Sequence, residues 1–362
     1  MTSGTRDAGS FGCMSLDGRE KAICRVCQFA FALLALLSAA TLALTQETPL
    51  ISGSLGFLQG TAGGNTTYMP VIMPVGVVPV KQRLLFETRG LFLESIRPKA
   101  GETYRTRLSK NVNYLQADWF ANSHLTFVAG KFLTPFATYN ERLSPIWIGN
   151  FQDAPLIITL GINGSAGVGG QIRGSVFSNN NVAVDYATFF QSNVSGTQFA
   201  SSRASGGRIN FYFPSSGFEL GGSYDHMFEG LHPDTSGVHV WWEPHNVPLT
   251  IRSEYAHSTN AQGYWIETGY RLSRINGENS WIGRLEPLFR MQQTMRIHVD
   301  ATDGLPAVDT QRADFGLDYY LPHETRIMTS YSRQFSATGN ENIWKTELVY
   351  RFLMPAWPGR KR

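Results

Sequence analysis

Two sets of residues in this chain have the types and spacing of a chemical site. Cys24 and Cys27 form a Cys-x-x-Cys pair, the spacing that holds a metal or cycles as a dithiol. No second pair and no neighbouring histidine accompanies them, and the third cysteine, Cys13, also lies before residue 28. The pair therefore reads as part of a leader, and neither a metal nor a cofactor is expected. Histidines are the second set. His226, His239, His257 and His298 fall on expected strands, where a histidine beside a serine could activate it for ester or peptide hydrolysis. Neither Gly-x-Ser-x-Gly nor His-Glu-x-x-His stands out, and alternation puts His226 and His257 on the apolar side of their strands. Catalysis is not the expected role.

A different pattern is far more widespread. Acid and base stand two to four residues apart on the polar side of one segment after another: Glu87 with Arg89, Arg252 with Glu254, Glu267 with Arg271, Arg284 with Glu286 and Arg290, Arg312 with Asp314, Lys345 with Glu347. Arg173 takes the same position on a further segment. Acids and bases in near-equal number make mixed ladders. They suit a surface where neighbouring strands pair their charges, such as the wall of a water-filled lumen.

The elements that position these charges have a period of two. In Asn340 to Phe352, Trp344, Thr346, Leu348, Tyr350 and Phe352 share one face, and Lys345, Glu347 and Arg351 the other. The same division recurs from Leu84 onward, broken by Gly, Asn, Asp, Ser and Pro clusters, and helical periodicity is hard to find. About fourteen strands result, or sixteen if 46–80 contributes two rather than forming a lumen plug. Asn276-Gly277 reads as a hairpin turn. One interruption, Leu133 to Pro155, is too long and proline-rich for a turn; it and its approach carry Lys131, Glu141, Arg142 and Asp153.

Composition narrows the solvent. Of 362 residues, 42% are hydrophobic and only 16% charged, against roughly 25% in ordinary soluble domains. A net charge of +3 without a long Lys/Arg run excludes a nucleic-acid partner. Arg19, Lys21 and Arg25 precede an apolar run from Phe29 to Leu44 closed by small residues, so 1–45 reads as an export signal peptide. Nothing after Gln46 approaches 18 consecutive apolar residues, which excludes a helical membrane protein. Aromatics near strand ends, with turns of two to five residues alternating with longer connections, point to an all-β transmembrane antiparallel up-and-down barrel over 81–352. A soluble β sandwich, the competing architecture, would not repeat acid–base ladders at matched depth. Residues 353–362 form a tail.

At this point the chain resembles the porin families of bacterial outer membranes, most specifically the phosphate-selective, O/P-type porin-like group. The resemblance rests on the final strand ending Tyr350-Arg351-Phe352 and on Ala129-Gly130-Lys131-Phe132-Leu133-Thr134-Pro135-Phe136, which looks like the strand-to-loop element preceding an inward-folded loop. It implies a homotrimer in the bacterial outer membrane, bounded by lipid, passing small hydrophilic solutes. It also implies Tyr350 and Phe352 as the signal to the barrel-assembly machinery, and Lys131, Glu141, Arg142 and Asp153 at the constriction. Such barrels usually end at the aromatic residue; this chain continues for ten more. A plugged, non-conducting barrel and a barrel-type hydrolase remain the alternatives.

Overall fold

The computed structural model describes residues 49–99, 102–158, 166–194, 201–229, 234–299 and 303–355. The expected signal peptide, and Trp357 with the rest of the tail beyond Pro355, lie outside these residues.

Sixteen strands close into one barrel: β1 Leu50–Ala62, β2 Asn65–Val80, β3 Leu84–Lys99, β4 Glu102–Asn122, β5 Leu125–Leu133, β6 Ala166–Ser178, β7 Ala183–Val194, β8 Ser201–Phe213, β9 Phe218–Met227, β10 Asp234–Trp242, β11 Leu249–Ser258, β12 Ala261–Tyr270, β13 Leu285–Arg296, β14 Thr310–Leu321, β15 Thr325–Ser336 and β16 Gly339–Pro355. Each pairs antiparallel with its sequence neighbours, and β1 pairs with β16 to close the wall. Closure leaves no sheet edge along the paired wall, which a strand in lipid requires.

Residues 50–80 are wall strands and not a plug, so the barrel begins at Leu50 and not at residue 81. Prolines 70, 74 and 79 are residues a loop would favour, yet β2 carries all three in the paired wall. At the other end, β16 runs on past Phe352, because Leu353, Met354 and Pro355 pair with Ser52, Ile51 and Leu50. Asn276-Gly277 is not a two-residue hairpin turn. Gly277, at φ +75°, follows a one-turn helix, Ser273–Asn276, within the longer 271–284 connection.

The two faces of the wall differ as alternation predicts. Leu55, Phe57, Ile72, Phe86, Phe190, Ile209, Leu220, Val238, Ile266, Phe315 and Leu348 are all exposed, on strands right round the barrel. An apolar belt of this extent has no counterpart on a monomeric soluble protein and matches the outer surface of a barrel in lipid. Facing the other way, and buried, are Asp118, Gln171, Gln191, Glu254, Glu267, Arg290, Asp314 and Glu347. In lipid this division satisfies both solvents, with apolar side chains outward and charges kept where partners or water can meet them.

Candidate functional site

The segment after β5 does not stay at the rim. Phe136 lies over Gly237 of β10, where an added Cβ would come within 2.9 Å of its ring, and Ile157 occupies the space above Gly263 of β12. Ile146 lies against Gly56 of β1 and Phe151 against Gly316 of β14 in the same way. Arg89 of β3 donates to Ser144 Oγ at 2.9 Å, and Arg326 of β15 donates to the Gly149 carbonyl at 2.6 Å. A chain that touches β1, β3, β10, β12, β14 and β15 of a closed barrel must cross its interior. Residues 134–158 are therefore an inward-folded loop.

Its first half is held by β8, β9 and β11. Glu254 accepts from the backbone N–H groups of Thr138 and Tyr139, both at 2.7 Å, and from the Thr138 hydroxyl at 2.6 Å. Ser223 Oγ accepts from the Ala137 N–H at 2.9 Å, and Arg208 donates to the Ala137 carbonyl at 2.6 Å. Phe136, Ala137, Leu143 and Ile157 pack with Ala256, Ala261 and the fully buried Trp265. These bonds pair loop backbone groups that would otherwise be orphaned over the single helical turn Tyr139–Leu143. Burial and neighbouring carboxylates push the Tyr139 phenol above its usual range, the Arg290 charge opposing them, so the ring stays neutral.

Each charge on the loop meets an opposite charge on the wall. Glu141 pairs with Arg208 at 2.6 Å, and Arg142 with Glu219 at 2.8 Å while lying over the Trp241 ring at 5.0 Å. Asp153 is a hub, 2.7 Å from Arg312, 2.8 Å from Lys345 and 3.2 Å from Arg290. Burial acts to raise the Asp153 pKa, but the three cations outweigh it and hold the carboxyl well below the usual carboxylate range.

Lys131 is the exception among the expected constriction residues. Its cross-strand partners Leu115 and Val168 are both on the exposed outer face, so Lys131 points outward too. Its ammonium donates to the Val112 carbonyl at 2.5 Å, where β4 runs past the end of β5. It sits three residues before the inward turn, and the one-residue parity of a strand decided its face.

The expected wall residues fall into two groups. Glu87, Arg89, Arg173, Arg252, Glu254, Glu267, Glu286, Arg290, Arg312, Asp314, Lys345 and Glu347 lie on inward positions of strands. Arg290 and Arg312 share Asp314 at 2.8 and 2.9 Å, Arg252 reaches Glu267 at 3.6 Å, and Arg173 pairs with Asp118. Glu87 accepts from Gln116 at 3.5 Å, and Glu286 from the Tyr320 hydroxyl at 2.7 Å. Arg271 and Arg284 are not on strands. Both lie in the 271–284 connection at the barrel end, Arg271 stacked on Tyr320 at 4.2 Å.

Of the two residues expected to signal assembly, Tyr350 is exposed on the outer face, and Phe352 pairs with Gly53, its ring 3.0 Å from where a Cβ there would sit. Of the histidines considered as bases, His226 faces Asp234 at 2.8 Å on the outer surface, and His239 is buried 3.4 Å from Glu219. Sequence reasoning passed over Arg208, Glu219, Ser223, Gln292 and Arg326, all of which hold the loop or its partners. Their inward alternation was visible; which part of the inward-folded loop each one meets was not. Trp265 was missed because an aromatic on such a strand reads as outward, yet it shares the parity of Glu267 and donates to Glu254 at 3.1 Å.

No protein-family model matches the chain, and no curated protein matches it in sequence. Solved structures do match. OmpF of Salmonella typhi, in complex with daunomycin, has a TM-score of 0.56 at 12% identity over 84% of this chain and 97% of that one. A loop-deleted form of OmpT, an outer membrane protein of Vibrio cholerae, gives 0.55 at 11% over 84% and 100%. OprB of Pseudomonas putida, in its low-pH structure, gives 0.52 at 9% over 84% and 91%. What these proteins share with this chain is the fold, the closed antiparallel barrel of bacterial outer-membrane porins.

Proposed function

We propose that the chain forms an outer-membrane channel for passive diffusion of small hydrophilic solutes, narrowed by the loop 134–158. The observation that carries this reading is the loop's course: it crosses the interior and is fixed to the wall through polar bonds and ion pairs on many strands. A structural barrel has no use for a loop so placed, whereas a pore gains a constriction of fixed shape. The leader is read as removed on export, the protein as assembling through its final strand into a homotrimer, and its solutes as unaltered by passage.

The narrower likeness to phosphate-selective porins would call for basic residues without matching acids at the constriction. Here Arg290, Arg312 and Lys345 are matched by Asp153 and Asp314, and Arg208 by Glu141. The reading is therefore a pore of weak ion preference. Planar-bilayer recording of the refolded protein tests both parts. Discrete conductance steps with a reversal potential near zero in a salt gradient are expected. Insertion without steps would make this a non-conducting barrel, and a strong reversal potential would overturn the weak preference.

A further inference from the structure

Arg333 stands on the lipid side of the wall. Its neighbours Ser330 and Ser332 are buried inside, so Tyr331, Arg333 and Phe335 of β15 point outward. Cross-strand from them on β16 are Asn342, opposite Arg333, and Trp344, opposite Tyr331. A guanidinium on this face is costly at mid-membrane and tolerated near the interface. Arg333 lies near the end of β15 at Ser336, and Asn342 near the start of β16 at Gly339, so both sit close to the rim opposite the barrel's termini. The aromatics agree with that height: Tyr331 and Trp344 pack at 4.6 Å, and Arg333 lies over Phe335 at 5.4 Å.

The polar atoms are set in one way. Asn342 Oδ1 accepts from the Tyr331 hydroxyl at 2.8 Å and from Arg333 Nη1 at 2.6 Å. Arginine only donates, so the amide oxygen faces it and the Asn342 NH₂ turns away with its hydrogens unused. Among the described residues no carboxylate pairs with Arg333, and its remaining N–H groups are also without acceptors. Unpaired donors on neighbouring strands at headgroup height, beside an aromatic and aliphatic surface of Trp344, Leu348 and Phe57, call for an anion with an acyl chain attached.

We propose that Arg333 and Asn342 bind the phosphate of an anionic lipid headgroup, with an acyl chain lying along Trp344 and Leu348. This rests on the reading of the chain as a membrane barrel. The guanidinium and the Asn342 amide donate to the phosphate oxygens, and Tyr331 fixes the amide that presents them.

Native mass spectrometry of the refolded protein in detergent, with phosphatidylglycerol or phosphatidylcholine added, tests it. Wild type is expected to retain phosphatidylglycerol in preference to phosphatidylcholine, with affinity for it about fivefold lower in R333Q. N342L is expected to weaken it as well, and R333K to restore most of it. Calorimetry with inorganic phosphate alone is expected to give no saturable heat. Equal retention of the two lipids by wild type, or equal affinity in R333Q, overturns the site, and the first holds even if a variant fails to fold. Saturable uptake of inorganic phosphate would make it a free-anion site and overturn the lipid assignment. Failure of wild type to insert into liposomes would overturn the membrane reading itself; insertion with unselective lipid retention overturns only this site.

Discussion

Glu254 of β11 takes three hydrogen bonds from Thr138 and Tyr139 on a single carboxylate oxygen, while its other oxygen accepts from Trp265. No cation is needed, because four donors replace the water the carboxylate has lost. Glu254→Leu should therefore release the first half of the loop while leaving the barrel closed. Bilayer recordings should show larger open-channel noise and altered conductance, with stability to denaturant lower by about 2–4 kcal/mol. Traces indistinguishable from wild type would show that the loop is held elsewhere.

Asp153 pairs with three cations at once. Asp153→Asn should leave Arg290, Arg312 and Lys345 with an excess positive charge and move the reversal potential toward anion selectivity. The pH dependence follows from the sign of the shift. A carboxyl with a depressed folded pKa contributes its stability above the unfolded value, about 3.9, and loses it as pH falls through the folded value. The difference between wild type and D153N should thus persist from neutrality to about pH 4 and close only at lower pH. Convergence of the two proteins near pH 6 would contradict the pairing.

Lys131 faces outward, so Lys131→Gln should leave the reversal potential unchanged, in contrast to D153N. Its effect should fall on the exposed stretch of β4 whose Val112 carbonyl it caps, read as faster backbone amide exchange there. A selectivity shift in K131Q as large as that in D153N would return Lys131 to the lumen.

Phe352 covers Gly53 across the β1–β16 seam that closes the barrel, whereas Lys345 lies within the lumen. Phe352→Ala should lower the yield of membrane-inserted, heat-modifiable protein several-fold more than Lys345→Ala, measured by the gel shift between unheated and boiled samples. Equal yields would separate the seam from assembly.

How much of this was legible beforehand can be read from particular residues. Trp344, Leu348 and Tyr350 against Lys345 and Glu347 gave the faces of β16 correctly, since a strand's period of two is a local property. Lys131 shows the limit of that rule. It belongs to a strand whose inward residues are apolar, Val128 and Phe132, so hydrophobicity there no longer marks the lipid side. Glycines 56, 237, 263 and 316 are seats for loop side chains, and nothing near them in sequence says so.

The sequence by itself determined an antiparallel transmembrane barrel, the approximate number of its strands, which segment is too long to be a turn, and which residues carry charge. Each follows from alternation, length and composition, which act over ten or twenty residues. Only the tertiary structure decided that residues 50–80 are wall, which strands the loop is fixed to, and that Asp153 meets Arg290, Arg312 and Lys345. Those pairings join residues more than a hundred positions apart. They exist because closing β1 on β16 makes one enclosed interior, in which a single loop can reach strands from nearly every part of the chain.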